Sequence, residues 1–399
     1  VENLMKRFAL TSLSLALLGT AGAAHAQNSV TLYGVIDAGL IYVHNANGNQ
    51  KQVGTNSGTL SGDRWGLKGQ EDLGGGLKAI FQLENGFDVN TGKLNQGGRE
   101  FGRQAFVGLT SDKLGTVTLG RQYDPLVDMV QGITGDNYWA SIVGTPGDVD
   151  NYDNSSRVNN GVKYVSPNFA GLQFEGLYGF SNLAGTTGQG QTWSGAVAYN
   201  NGPLGLAAGY YYTSNPSSGR LVVTSGSPTW NSPSSDSVFD SPINNGYITA
   251  HSIGMARAAA QYAIGPVTVG GSYSNVKYRP DGFSAFTSTE TYNVGSVFAN
   301  YQVTPAFLVG AGYTYEKASG DTAAKYHQVG IGADYTLSKR TDFYALGAYQ
   351  HASGTQATYV TNGGVTTRVT QDAQASIGSF GFAGTSTQEM VVVGIRHKF

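Results

Sequence analysis

Between Arg121 and Arg157 the chain carries no lysine or arginine, yet Asp124, Asp128, Asp136, Asp148, Asp150 and Asp153 all fall there. Tyr138, Trp139 and Tyr152 share the stretch, and Leu126, Val127, Met129 and Ile133 give it apolar anchors. Asp148, Asp150 and Asp153 are spaced closely enough to suggest calcium, but the full ligand run of a known calcium loop is missing. No metal is therefore expected there. The six histidines (His25, His44, His251, His327, His351 and His397) are scattered, with no pair at ligand spacing on a helix. With no cysteine in the chain, disulfides, thiolate metal sites and thiol nucleophiles are excluded. Gly74-Gly75-Gly76 is followed by no helix that would cradle a phosphate, so it reads as a turn. No serine occupies a strand-to-helix elbow, so hydrolase chemistry lacks support. The acidic stretch is either a solvated surface loop or a charged element folded against basic partners, and neither needs a proton transfer or a covalent step.

The elements that must position it are strands. Sixteen strand-like stretches recur from Val30–His44 to Gln388–Phe399. Short turns such as Gly265-Pro266 and Thr304-Pro305 alternate with long polar connections, notably 124–157, 214–250 and 353–386. Side chains alternate across a strand, so Lys78, Gln82 and Glu84 oppose Ala79, Phe81, Leu83 and Phe87. By the same parity Arg64 and Lys68 oppose Trp65 and Leu67, Arg103 opposes Phe106, and Lys163 opposes Val162 and Tyr164. Arg121 shares parity with Val117 and Leu119, which leaves its face open.

Length and composition say what solvent surrounds those strands. Met5-Lys6-Arg7, an apolar Phe8–Gly19 and Ala24-His25-Ala26 form an export signal over residues 1–26, with Val1–Leu4 ahead of the starting methionine. About twelve apolar residues are too few for a membrane helix, which needs about twenty. Residues 27–399 then form one domain with 22 basic and 25 acidic residues, a balance that argues against a nucleic-acid partner. Glycine contributes 58 residues, about twice the usual 7%. After the signal, no apolar run spans a bilayer, so the one other membrane-spanning solution is a closed barrel. Sixteen strands with one polar face enclose a wet interior and turn the apolar face to lipid. Basic groups on that wall facing the acidic loop would set a transverse field across an aqueous passage, which orients solutes and sets ion preference. The expected fold is all-β: a 16-stranded antiparallel transmembrane barrel with an inward-folded third long loop.

Several segments carry a family resemblance. DRWGLKGQEDLGGGLKAIFQLENGF, GRQAFVGL and GTVTLGRQYDP lie within Ser61–Tyr123 and the residues that adjoin it, with VTLYGVIDAGL before them. VKYVSPNFAGLQFEGLYGF, YTLSKRTDFYALGAY and the terminal VGIRHKF follow. Together these resemble the general porins of Gram-negative outer membranes, most closely the trimeric porins of Burkholderia and Neisseria. The resemblance implies a homotrimer embedded in outer-membrane lipid and lipopolysaccharide, passing ions and small hydrophilic solutes without a cofactor. It places Arg64 in a basic wall motif, Arg103 and Arg121 in Arg-Gln motifs, and Asp124 and Asp128 at the start of the constricting loop. Lys68, Lys78 and Lys163 are added by periodicity alone. Phe399 is implied to be the terminal aromatic that the outer-membrane assembly machinery reads. The mature charge of −3 and the acidic loop predict a mild preference for cations. A barrel enzyme would need a catalytic cluster on one rim, and a substrate-selective channel an aromatic slide or a ladder of like charge. Neither is visible.

Overall fold

The computed structural model describes residues 29–185, 188–216, 230–236 and 241–399. The proposed export signal lies outside the described residues. Strands β1 (Ser29–Asn47), β2 (Gln50–Ser57), β3 (Arg64–Gly74), β4 (Leu77–Gly86), β5 (Gln104–Ser111) and β6 (Gly115–Gln122) come first. After the third long loop follow β7 (Arg157–Val165), β8 (Leu172–Gly179), β9 (Thr192–Asn201), β10 (Leu204–Ser214) and the two-residue β11 (Ser235–Asp236). Then come β12 (Ser252–Ile264), β13 (Val267–Arg279), β14 (Glu290–Thr304), β15 (Phe307–Ser319), β16 (Lys325–Thr336) and β17 (Thr341–Ser353). An outlying hairpin of β18 (Thr355–Asn362) and β19 (Val365–Asp372) precedes the last strand, β20 (Thr387–Lys398).

Sixteen of these close an antiparallel barrel; β2, β11, β18 and β19 are the additions. β1 pairs with β3 through its first half (Val35 opposite Arg64) and with β20 over Val35–His44, which seals the cylinder. At the seam the amide of Phe399 donates to the Gly34 carbonyl, and the Gly34 amide donates back, both at 3.1 Å. The Phe399 ring lies where a Gly34 side chain would be. β2 doubles back on the outer half of β1, from Ala38 opposite Ser57 to Asn47 opposite Gln50. Its sequence, QKQVGTNS, lacks apolar alternation. Among the described residues β11 pairs with Arg157 and Val158.

Alternation sorts the faces as expected. Along β17, Asp342, Tyr344, Leu346, Ala348, Gln350 and Ala352 are buried while Phe343 and Tyr349 are exposed. Val107, Leu109, Val117, Leu119, Val297, Val329 and Ile331 project outward and form the apolar outer band of the barrel. Near the short-turn rim stand exposed Tyr262, Tyr301, Tyr335 and Phe343; Tyr178, Trp193, Tyr273 and Tyr349 lie nearer the other rim. Two aromatic girdles of this kind mark the edges of a bilayer.

Inside, one half of the barrel is filled. A continuous apolar cluster runs from Leu126, Val130 and Ile133 of the third long loop to Ile243, Tyr247, Phe286, Ala324, Ala357 and Ala375 of the later loops. The other half, flanked by β3 to β7, stays open.

Candidate functional site

The third long loop is built from single turns. Asp124 caps the first, Pro125–Met129, by accepting the Leu126 amide at 2.8 Å, and Pro125 supplies a helical φ at no cost in donors. Turns at Gln131–Ile133, Gly135–Trp139 and Ala140–Ile142 carry the chain across the lumen, and Pro146–Asp148 brings it back. Trp139 is fully buried and its indole donates to Asn300 Oδ1 at 2.7 Å. It occupies a shelf of glycines: side chains at Gly310 and Gly332 would overlap the Trp139 ring, one at Gly312 would overlap Val143, and one at Gly330 would overlap the Ile142 carbonyl. Four missing side chains on β15 and β16 are thus what admit the loop against the wall. Gln328 fixes it by donating to the carbonyls of Ser141 (2.8 Å), Ile142 (3.0 Å) and Gly144 (3.3 Å). Arg257 lies 3.5 Å over the Tyr152 ring and donates to the Asp150 carbonyl at 3.2 Å.

Between this loop and the open wall lies a cavity of about 900 Å³, lined chiefly by polar groups. Arg64, Arg103 and Arg157 line it with Glu84 and Tyr123; Asp128, Gln131, Asp136, Ser141 and Asp153 line it from the loop. The wall arginines form an ordered set. Glu84 is buried and is the hub: Arg103 Nε and the Tyr123 hydroxyl both donate to its Oε1 at 2.8 Å, and the Tyr33 hydroxyl donates to Oε2 at 2.9 Å. Arg64 Nε stands 3.9 Å from the same carboxylate. The Tyr123 ring is flanked by the guanidinium groups of Arg103 and Arg157, each 5.6 Å from its centroid. Planar, permanently charged and stacked, these arginines keep a fixed geometry that flexible lysines would not.

Across the gap the carboxylates differ among themselves. Asp128 is solvent-facing and ion-pairs with Lys163, which also lies 3.3 Å from Glu175. Asp153 accepts from the Ser141 hydroxyl and from the Ser379 amide. Asp136, bonded by Gln131 at 2.7 Å, has its carboxyl raised well above the usual range, first by burial and then by the adjacent Asp153. Burial also raises Asp148, next to Asp153 and Asp150. In Asp124 and Asp150 burial again dominates, opposed by Arg257.

Of the residues singled out from sequence, Arg64, Arg103, Asp128, Asp136 and Asp153 meet at this cavity. Others stand outside its lining. Asp124 is a helix cap that also accepts from Asn151 at 3.2 Å, Asp148 accepts the Asp153 amide and Ser155 hydroxyl, and Asp150 accepts the Thr145 hydroxyl. Arg121 is bound by the Gly102 carbonyl, Asn159 and Asp236, the last at 2.8 Å. Lys163 is a buried anchor for Asp128 rather than a lining group. Lys68 sits over the Tyr33 ring at 5.2 Å, further along β3, and Lys78 lies opposite Asp72 by the short-turn rim. Periodicity gave these lysines a face but not a height along the barrel axis. Arg157 and Tyr123 were missed, although both border the acidic stretch. Among the described residues no group of three or more His, Asp or Glu side chains is arranged to hold a metal ion.

The sequence profile of the Gram-negative porin family matches residues 9–356. The chain belongs to that family. An outer membrane porin protein of Bordetella pertussis is 31% identical, over 98% of this chain and 99% of its own length. Outer membrane porin protein 32 of Delftia acidovorans is 32% identical, over 97% of this chain and 99% of that protein. Among solved structures, an anion-selective porin from Comamonas acidovorans superposes with a TM-score of 0.70 at 25% identity, covering 93% of this chain and all of that one. The porin is therefore an outer-membrane diffusion channel for ions and small hydrophilic solutes, and not an enzyme. Its open half, beside the third long loop, is the water-filled path.

Proposed function

We propose that the porin sieves solutes at a charged constriction in which Arg64, Arg103 and Arg157 face Asp128, Asp136 and Asp153. The observation that carries this reading is that both sets line one cavity from opposite elements, wall and loop. Opposed fixed charges orient water and polar solutes across the passage, and the low-dielectric wall strengthens the field. Glu84, held by Arg103, offsets part of the basic wall. Asp128 is offset by Lys163, and burial beside Asp153 raises the Asp136 carboxyl, which weakens its charge. Net ion preference is consequently weak, and it moves toward cations as rising pH ionises Asp136. The mature charge and the acidic loop favour cations, and this local balance keeps that preference mild.

Planar-bilayer recording in a salt gradient tests the reading. Arg103→Ala is expected to move the reversal potential toward cation selectivity while leaving assembly intact. Unchanged selectivity in assembled, ohmic pores would refute the constriction. Loss of assembly would make Arg103 a structural residue.

Assembly as a homotrimer within lipid and lipopolysaccharide accompanies this function. It is supported by an apolar cleft on the outer wall, where Leu40, Phe343, Val393 and Ile395 surround the closing seam. Cross-linking of the porin in native membranes is expected to stop at three copies. Phe399 at the same seam is where the assembly machinery would read the C-terminus. Phe399→Ser is expected to reduce the amount of assembled barrel in the membrane.

A further inference from the structure

We propose that the last long loop, residues 354–386, is a strap that positions the acidic side of the passage, so that a change at its outer hairpin alters conduction at the constriction. This deepens the constriction reading and rests on it.

The strap has an outer and an inner end. Outside, β18 and β19 join through Gly363 and Gly364, both at positive φ, the two-residue turn that matches strand twist. Arg368 clasps this hairpin to three other loops: it ion-pairs with Asp321, donates to the Gly246 carbonyl at 2.8 Å, and lies 5.1 Å and 5.4 Å from the Tyr247 and Phe286 ring centroids. The chain then returns inward through residues 373–379, and nearly every amide on the way is taken. Ala373 donates to the Gly354 carbonyl, Ala375 to the Thr385 carbonyl, Ser376 to Gln350 Oε1 and Ile377 to Gln388 Oε1, all within 2.6–2.9 Å. Such a segment has little freedom to slide.

Its inner end meets the constricting loop. Ile377 is fully buried in one cluster with Trp139, Ile142 and Val143. Gly378, at φ +50°, packs so closely on Ser141 that any side chain would overlap it. The Ser379 amide donates to Asp153 Oδ2 at 3.2 Å, and both residues line the passage. A second link runs through two buried glutamines. Gln350 donates to the Ser376 carbonyl at 3.0 Å and to Gln328 Oε1 at 2.7 Å, and Gln328 holds the loop carbonyls already described. Asp153 therefore takes its place from a segment that is itself tied to the outer surface. Packed interiors move between discrete arrangements rather than deforming smoothly, so a shift at one end is passed to the other.

The test compares Asp153→Asn, Gly378→Ala and a loaded hairpin by reversal potential in planar bilayers. The loaded hairpin is Thr361→Cys, a unique thiol in this cysteine-free chain, biotinylated and then bound by streptavidin. Asp153→Asn is expected to move permeability toward anions. Gly378→Ala should move it the same way by about twofold, the size expected when a screened charge shifts by a few ångströms. Streptavidin on the Thr361→Cys variant should also move the ratio, whereas the same load on Lys51→Cys in the first hairpin should lower conductance at most. If Asp153→Asn shifts the ratio and neither Gly378→Ala nor the loaded hairpin does, the strap proposal is overturned and the constriction stands. If Asp153→Asn has no effect, the constriction reading itself has failed. Should Gly378→Ala not assemble, the loaded hairpin decides alone.

Discussion

Glu84→Gln removes the carboxylate that bonds Arg103 and lies beside Arg64 on the basic wall. The carboxylate accepts from Arg103 and Tyr123 at 2.8 Å and from Tyr33 at 2.9 Å, and lies 3.9 Å from Arg64. Glutamine keeps the shape and an acceptor oxygen but deletes one negative charge beside the passage. An ion passing about 6 Å away feels about 0.7 kcal/mol from such a charge in water, and about 0.4 kcal/mol after screening at 0.1 M salt. Cations lose that attraction and anions lose the matching repulsion. The anion-to-cation permeability ratio should then rise about fourfold at 0.1 M, and only by about 1.4-fold at 1 M, where the Debye length falls to about 3 Å. The assay is the reversal potential of single pores across a fixed salt ratio, repeated at both mean concentrations. Removing one partner of a buried pair also costs about 3–5 kcal/mol. Barrels that assemble and conduct ohmically must therefore be selected before the comparison. An unchanged ratio at low salt in such pores would refute the reasoning, since the charge would then be invisible to the permeating ion. A shift of equal size at both salt concentrations would point instead to a changed shape of the passage, which salt does not screen.

Further outcomes follow from other parts of the site. Burial and Asp153 raise the Asp136 carboxyl in the folded state, so the folded protein holds that proton above the pH at which the unfolded chain loses it. Selectivity should drift toward cations as pH rises through the folded-state value, the loop should loosen over the same interval, and Asp136→Asn should flatten the drift in reversal potential. Trp139→Ala should weaken loop anchoring by about 3–5 kcal/mol while the sixteen-strand hydrogen bonding persists; noisier single-channel current with an unchanged heat-denaturation profile is the expected result. Gly332→Val would fill the shelf that receives the Trp139 ring, displacing the loop from an otherwise assembled barrel, and should change conductance far more than the same substitution at a glycine with open space such as Gly295.

The strands were legible because lipid and water impose a period of two. The apolar half of that pattern, Val329 and Ile331 against Gln328 and Gly330, shows in the sequence of β16 and is the same pattern that the barrel displays. Turn residues placed the short connections for the same local reason. Polar β2 and the β18–β19 hairpin carried no such signal, since neither face of an extramembrane hairpin meets lipid. Within the site, acidity of the third loop was plain, but its partition was not. Asp124 and Asp128 are four residues apart; one caps a helical turn while the other faces the passage.

What the sequence by itself determined was the barrel: strand number, faces, and a charged loop bearing aromatic anchors. These follow from local patterning against two solvents. Tertiary structure alone decided which charges share the passage, because that depends on height along the barrel and on contacts between residues far apart in the chain. Arg157 enters the lining by stacking on Tyr123, Lys163 leaves it by pairing with Asp128, and Trp139 finds its place only where four glycines of β15 and β16 come together. Such long-range contacts leave no periodic trace. The acidic loop was therefore visible from its composition, while the geometry that sets it against the basic wall across one cavity became visible only in the fold.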